Sequence, residues 1–165
     1  MQMRRDGTLV RFSGILNEES DLEKVKAQLE PFHNQNVRVS FAEVVRANSC
    51  GITSWLRLVR DLDLAITYVE APVWLVEQFN ISPFFLRKAY VESFCAPFFD
   101  PSTGNQSMQL VTVGQDIRPS DVHSEDTFAQ PLAPHLDGLE PDFDPTEYLH
   151  FLTAMAKPGP GQGTP

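Results

Sequence analysis

The chain has 165 residues, 42% of them apolar and 21% charged, a balance that supports a packed core and argues against disorder throughout. Its formal charge of −9 is unevenly placed: residues 1–114 sum to −2 and residues 115–165 to −7, with Arg118 and Lys157 the only Lys or Arg in the second part. Such a chain lacks the basic footprint of a nucleic-acid binder, is disfavoured at anionic membrane surfaces, and has no apolar run near the roughly 18 residues that span a bilayer.

The opening "MQMRRDGTLVRFSG" is basic, but Asp6 and Gly7 interrupt it and no long apolar stretch follows, so it is not read as a signal peptide. Two cysteines, Cys50 and Cys95, make no disulfide framework, and the expected setting is the reducing cytoplasm. "GTLVRFSGI" alternates Leu9, Arg11 and Ser13 with Val10, Phe12 and Gly14, which predicts a strand. "NEESDLEKVKAQLEPFH" predicts a helix: Ser20 and Glu23 have capping-box spacing, and Leu22, Val25, Leu29 and Phe32 recur at helical intervals, with Pro31 near the end. "NVRVSFAEVV" puts Val37, Val39 and Phe41 on one face of a strand and Arg38 and Ser40 on the other.

"NSCGITSWLRLVRDL" follows directly. It passes from small polar residues to an apolar stripe of Ile52, Trp55, Leu56, Val59 and Leu62, with Arg57, Arg60 and Asp61 facing outward, as in an amphipathic helix. "LAITYVEAP" predicts a strand closed by Ala71–Pro72, and Pro72 suits the first turn of a short helix with Val73, Val76 and Phe79 inward. "RKAYVESFCAPFF" predicts one further strand, Tyr90, Glu92 and Phe94 opposing Val91, Ser93 and Cys95. The five phenylalanines of "PFFLRKAYVESFCAPFF" suit a homodimer face as well as a core. Strands alternating with helices at these spacings predict an α/β layer with right-handed crossovers between parallel strands.

Beyond residue 97 the chain becomes rich in Pro, Gly, Ser and Asp, with a strand candidate at Met108–Val113. "DPTEYLHFLTAMAK" then predicts a helix: Asp144 caps it, Pro145 takes the first position, and Glu147 sits three residues after the cap. Tyr148, Phe151, Leu152 and Met155 form its apolar face. "PGPGQGTP" has no packing residues and is expected to be disordered. The expected organisation is a domain over 1–97, a small irregular appendage over 98–157 ending in a helix, and a tail over 158–165.

From about Gly7 to Ile81 the order of pieces resembles the STAS domain family, the fold of bacterial anti-sigma factor antagonists. "LVRFSGIL" stands where the family has its first strand and GxL turn, and "NSCGI" where it has Asp-Ser-x-Gly-Ile/Leu. "LAITYVEAPVWLVEQFNIS" matches the later strand and the short helix after it. The resemblance implies a mixed sheet with helices packed on it and a non-enzymatic bacterial regulatory or scaffold module. Its partner would be an anti-sigma-factor-kinase-like or other signalling protein, bound at the amino end of the helix through Asn48, Ser49, Gly51 and Arg57. An alternative is a module sensing a nucleotide or lipid headgroup, or a subunit of a transport or lipid-trafficking complex.

The resemblance also puts Ser49 at the family's phosphorylated serine. A phosphate at a helix amino end meets unpaired N–H groups and the positive pole of the helix dipole, and its charge alters any complementary partner surface. The family's preceding Asp is Asn48 here, which can neither accept a proton nor carry charge. Ser49 therefore keeps two readings, phosphate acceptor or helix cap, the latter worth about 1 kcal/mol. Cys50 at a helix start could be a nucleophile, but His33, His123, His135 and His150 are scattered and supply no assignable base, so buried packing is expected. Gly51 is expected to permit a close approach between the helix start and a neighbouring element.

"FFDPSTG" resembles a zinc-ribbon knuckle, Cys-Pro-x-Cys-Gly, with Asp100 and Thr103 at the cysteine positions, and "LAPHLDG" repeats the outline with Ala133 and Leu136. This implies a degenerate ribbon without its ligands, so neither structural zinc nor any other cofactor is expected. Packing of Leu110, Phe128 and the Tyr148 helix should hold the segment instead. No phosphate loop, paired metal ligands or nucleophile with its base is recognisable, which makes an enzyme the least favoured class. Asp142 and Asp144 are explained by Pro141, Pro145 and the following helix, as loop and cap.

Overall fold

A computed structural model describes residues 1–6, 9–122 and 134–155; the readings made for His123, Phe128, Ala133 and residues 158–165 fall outside them. Five strands form one mixed sheet, in the order β1 (Gln2–Asp6), β2 (Leu9–Leu16), β3 (Asn36–Ala47), β4 (Ala65–Val69) and β5 (Ala89–Val91). β1 is antiparallel to β2, and every other pairing is parallel. The sheet and its helices are those expected of an α/β layer, except that β1 has no counterpart in the sequence reading. Its pattern of Met3 between Arg4, Arg5 and Gln2 is too short and too charged to show as a strand by itself.

Alternation explains which face of the sheet is covered. Val10 and Phe12, Val37, Val39 and Phe41, Ile66 and Tyr68, and Ala89 and Val91 are all buried. Onto the central strands pack α1 (Leu22–Leu29), α2 (Ser49–Asp61) and α3 (Val73–Ile81), each connecting consecutive strands or leading toward the next. The rings of Phe12, Phe41, Trp55, Tyr68, Trp74 and Phe79 meet with centroids 4.9–6.4 Å apart. Offset and edge contacts of this kind add to the burial of the rings themselves. The opposite face carries charge. Arg11 meets Glu70 at 2.6 Å, Ser40 donates to the same carboxylate at 3.2 Å, and Arg38 makes a bidentate pair with Glu92.

Several local expectations are corrected. Asp21, not Ser20, caps α1 by accepting from the Lys24 amide, while Ser20 closes the preceding turn through Asn17 and Ile15. The buried residues of α3 are Leu75, Val76 and Phe79, with Val73 only half-buried, and Pro72 sits just before the helix. The single strand expected over "RKAYVESFCAPFF" is two strands broken at Glu92. Val91 still pairs with Tyr68 in the first sheet, whereas β6 (Ser93–Phe99) pairs with β7 (Gln106–Thr112) in a second. The break has anchors on both sides: Arg38 holds the Glu92 carboxylate, and Ser93 Oγ accepts from the Glu70 amide at 2.9 Å.

β8 (Glu140–Pro141) joins the free edge of β6, giving a three-stranded antiparallel sheet. The strand expected at Met108–Val113 lies largely in β7, and position 97/98, where the domain division was placed, falls inside β6. The last predicted helix is also split, into α4 (Pro145–Tyr148) and α5 (Phe151–Ala154). Asp144 caps it as expected, but Asn80 of α3 intrudes. Its Oδ1 accepts from the Phe151 amide at 2.7 Å and its amide donates to the Tyr148 carbonyl at 2.9 Å. An amide captured by a side chain is unavailable to the i→i−4 ladder, which is how an inserted group interrupts a helix.

Candidate functional site

β3 delivers the chain to the start of α2. Asn48 is still extended, at φ −117° and ψ 170°, and its Oδ1 accepts from the Gly51 amide at 2.9 Å. Asn48 is therefore the cap, and Ser49 is the first helical residue rather than the capping one. Two further ties fix this corner to the end of β2. The Asn48 N–H donates to the Leu16 carbonyl at 3.0 Å, and its side-chain amide donates to Glu18 at 2.6 Å.

That second bond gives position 48 a physical reason to carry Asn rather than Asp. An aspartate at 48 could cap the helix equally well, but it has no donor for Glu18 and would set two carboxylates against each other. The Asn48 amide instead holds the Glu18 carboxyl below the usual range.

Gly51 is buried, and a Cβ built on it would lie 2.5 Å from the Leu16 carbonyl carbon and 2.7 Å from the Asn17 amide nitrogen. The expected close approach is thus present, and its partner is the backbone where β2 ends. Ser49 and Cys50, by contrast, are exposed. The expectation that Cys50 is buried is overturned: Gly51 and Trp55 take the inward positions of the first turns, which leaves Cys50 pointing to solvent.

Arg57 is exposed eight residues after Ser49, about 12 Å along the helix at 1.5 Å per residue. It stands over a shallow cavity of about 390 Å³ between α1 and α2, together with Lys26, Glu18, Asp21, Glu23 and Asp61. The four residues predicted for the site thus share one helix: Asn48 and Gly51 build its start, while Ser49 and Arg57 face outward. Glu18 and Leu16 escaped the sequence reading because no pairwise signal links them to Asn48 and Gly51.

The knuckle positions do other work. Asp100 accepts from the Ser102 amide at 2.8 Å, from Ser102 Oγ at 2.6 Å and from Thr103 Oγ1 at 2.9 Å, closing the β6–β7 turn. These bonds, that from Ser102 first, hold its carboxyl below the ordinary range. Leu136 is buried in the core, and His135 Nε2 lies 3.1 Å from the Leu110 carbonyl. Among the described residues no three His, Cys, Asp or Glu side chains converge as metal ligands.

Leu110 is 44% exposed and so does not hold the segment as expected. Phe94, Phe98 and Val111 do so, with Tyr148 donating to the Cys95 carbonyl at 2.7 Å. The stretch with five phenylalanines likewise supplies core at Phe85, Phe94 and Phe98, and only Phe84 is largely exposed. Among the described residues no helix is long and apolar enough to cross a membrane. Comparison with known proteins finds no family model and no curated protein that matches this sequence.

Proposed function

We propose that the chain is a non-enzymatic, cytoplasmic regulatory module of STAS type that binds a partner protein through the amino end of α2. The observation that carries this reading is the rigid corner at Asn48–Gly51. The cap, the Leu16 bond and the buried glycine hold the backbone in place, while the Ser49 and Cys50 side chains are presented to solvent. A fixed frame with small exposed groups suits recognition, because little conformational entropy is lost when a partner docks. Arg57, about 80° round the helix from Ser49, adds an exposed cation beyond the corner, and the partner class is a signalling protein such as an anti-sigma-factor-type kinase. Phosphorylation of Ser49 would add charge at the positive pole of the helix and re-set that contact.

The test is affinity capture from the source cells with wild-type, Ser49→Asp and Arg57→Glu baits, compared by quantitative mass spectrometry. A partner retained by wild type and depleted on either variant is the expected result. Identical capture by all three baits refutes the reading.

A further inference from the structure

The other flank of α2 borders a second cleft, of about 550 Å³, between that helix and the turn that leads into β5. Its floor is closed: Leu64, Ile66 and Phe85 are only 1–4% exposed. The apolar surface on offer is therefore on the walls, at half-buried Leu56 and Val59 of α2 and at Phe84, which is 73% exposed. Exposed large apolar side chains brought close together are a mark of a docking surface, where scattered ones are not.

The rim is basic in a chain that is acidic overall. Arg57, Arg60, Arg87 and Lys88 stand around the opening, four of the chain's 13 Lys and Arg residues. Arg60 pairs with Asp61 at 3.1 Å and Lys88 with Asp63 at 2.6 Å. Among the described residues, neither Arg57 nor Arg87 has a carboxylate at salt-bridge distance. Set against Asp61 and Asp63, the four cations leave the mouth positive, although Arg57 also borders the acidic cavity on the other flank and Arg87 acts on Asp63 at longer range.

We infer that this cleft receives an acidic segment of a protein partner, with an apolar side chain seated between Leu56, Val59 and Phe84 and carboxylates at Arg57 and Arg87. The shape favours a chain segment laid across the opening, because the closed floor leaves no deep channel for a ligand to fill. Apolar anchors set the residence of such a contact, and rim charges set its orientation and rate of approach. The inference rests on the reading of this chain as a protein-binding module and names the chemistry of what it binds. It does not depend on the Ser49 corner.

The probe is a fluorescein-labelled amphipathic peptide of about four helical turns, with Leu and Phe at i, i+3, i+4 and i+7 and Glu elsewhere. A counterpart carries Lys for every Glu. Fluorescence anisotropy should show saturable binding of the acidic peptide by wild type and none of the lysine one. Arg57→Glu with Arg87→Glu should weaken binding about ten-fold, or 1.4 kcal/mol. Phe84→Ser should weaken it too, at an unchanged melting temperature.

Salt near 0.5 M should also weaken binding, since screening then acts within a few ångströms. Ser49→Glu should bind the peptide as wild type does. Absent or charge-indifferent binding, full binding by the double reversal, or displacement of the peptide by dodecanoate would each overturn the inference. Arg57→Glu reports on both surfaces, so the Ser49 corner is judged by the Ser49→Asp bait, whose residue does not line this cleft.

Discussion

Replacing Gly51 with alanine tests the corner most directly. In an isolated helix the change is favourable by up to about 1 kcal/mol, because alanine restricts the unfolded chain and glycine does not. Here the added methyl would sit 2.5 Å from the Leu16 carbonyl carbon and 2.7 Å from the Asn17 nitrogen, with the Leu16 oxygen nearer still. All three are backbone atoms, so no side chain can swing aside. The same Leu16 carbonyl accepts from the Asn48 amide, and separating α2 from β2 would also loosen that bond.

Overpacking typically costs about 1–3 kcal/mol, and a contact with backbone belongs at the upper end. After the helix-propensity gain, a net loss of about 2 kcal/mol is expected. For a chain of this size that lowers the melting temperature by roughly 4–8 °C. Urea unfolding followed by circular dichroism measures it, with Thr53→Ala as the exposed control on the same helix. A Gly51→Ala protein as stable as wild type, or more so, would refute the argument that Gly51 is there for close approach.

Asn48→Asp should raise the Glu18 pKa, since the donor that lowers it is replaced by a like charge; an NMR titration in which Glu18 does not move would contradict the bond. The sign follows for wild type. With its folded value depressed, Glu18 contributes stability that is present above its unfolded value of about 4.3 and is lost as pH falls through the folded one. With a thiol reagent such as Ellman's near pH 8, Cys50 should react promptly and Cys95 slowly. Cys95 is half-buried and burial pushes its thiol up, whereas Cys50 is exposed, and Cys50→Ala should remove the fast phase. Asn80→Ala leaves the Phe151 amide and the Tyr148 carbonyl without their partners, at a cost of about 1–3 kcal/mol. Hydrogen exchange should then quicken first in α4 and α5.

Periodicity is local, and what it dictates was legible. The two-residue alternation of β2 and β3 follows from side-chain direction within one element, as do the helix at α2 and the Asp144–Pro145 start of α4. Together they were enough for an α/β layer and for the position of the Ser49 turn. Of the stripe expected on α2, Trp55 and Leu62 are buried, whereas Ile52, Leu56 and Val59 are half-buried and Leu58 takes the inward place. The tertiary structure decided whatever depends on residues far apart in sequence. Ser49 yields the cap to Asn48 because Glu18 and Leu16 brace that residue, and Cys50 faces outward because Gly51 must meet the Leu16 backbone. One expected strand becomes two because Arg38 and Glu70 hold Glu92 and Ser93, and one expected helix becomes two because Asn80 takes the Phe151 amide. In each case a hydrogen bond or steric contact across 23 to 71 residues, or a pair of them at Glu92 and Ser93, overrides a pattern read within one turn or a few residues. Such a partner becomes visible only when the chain has closed on itself.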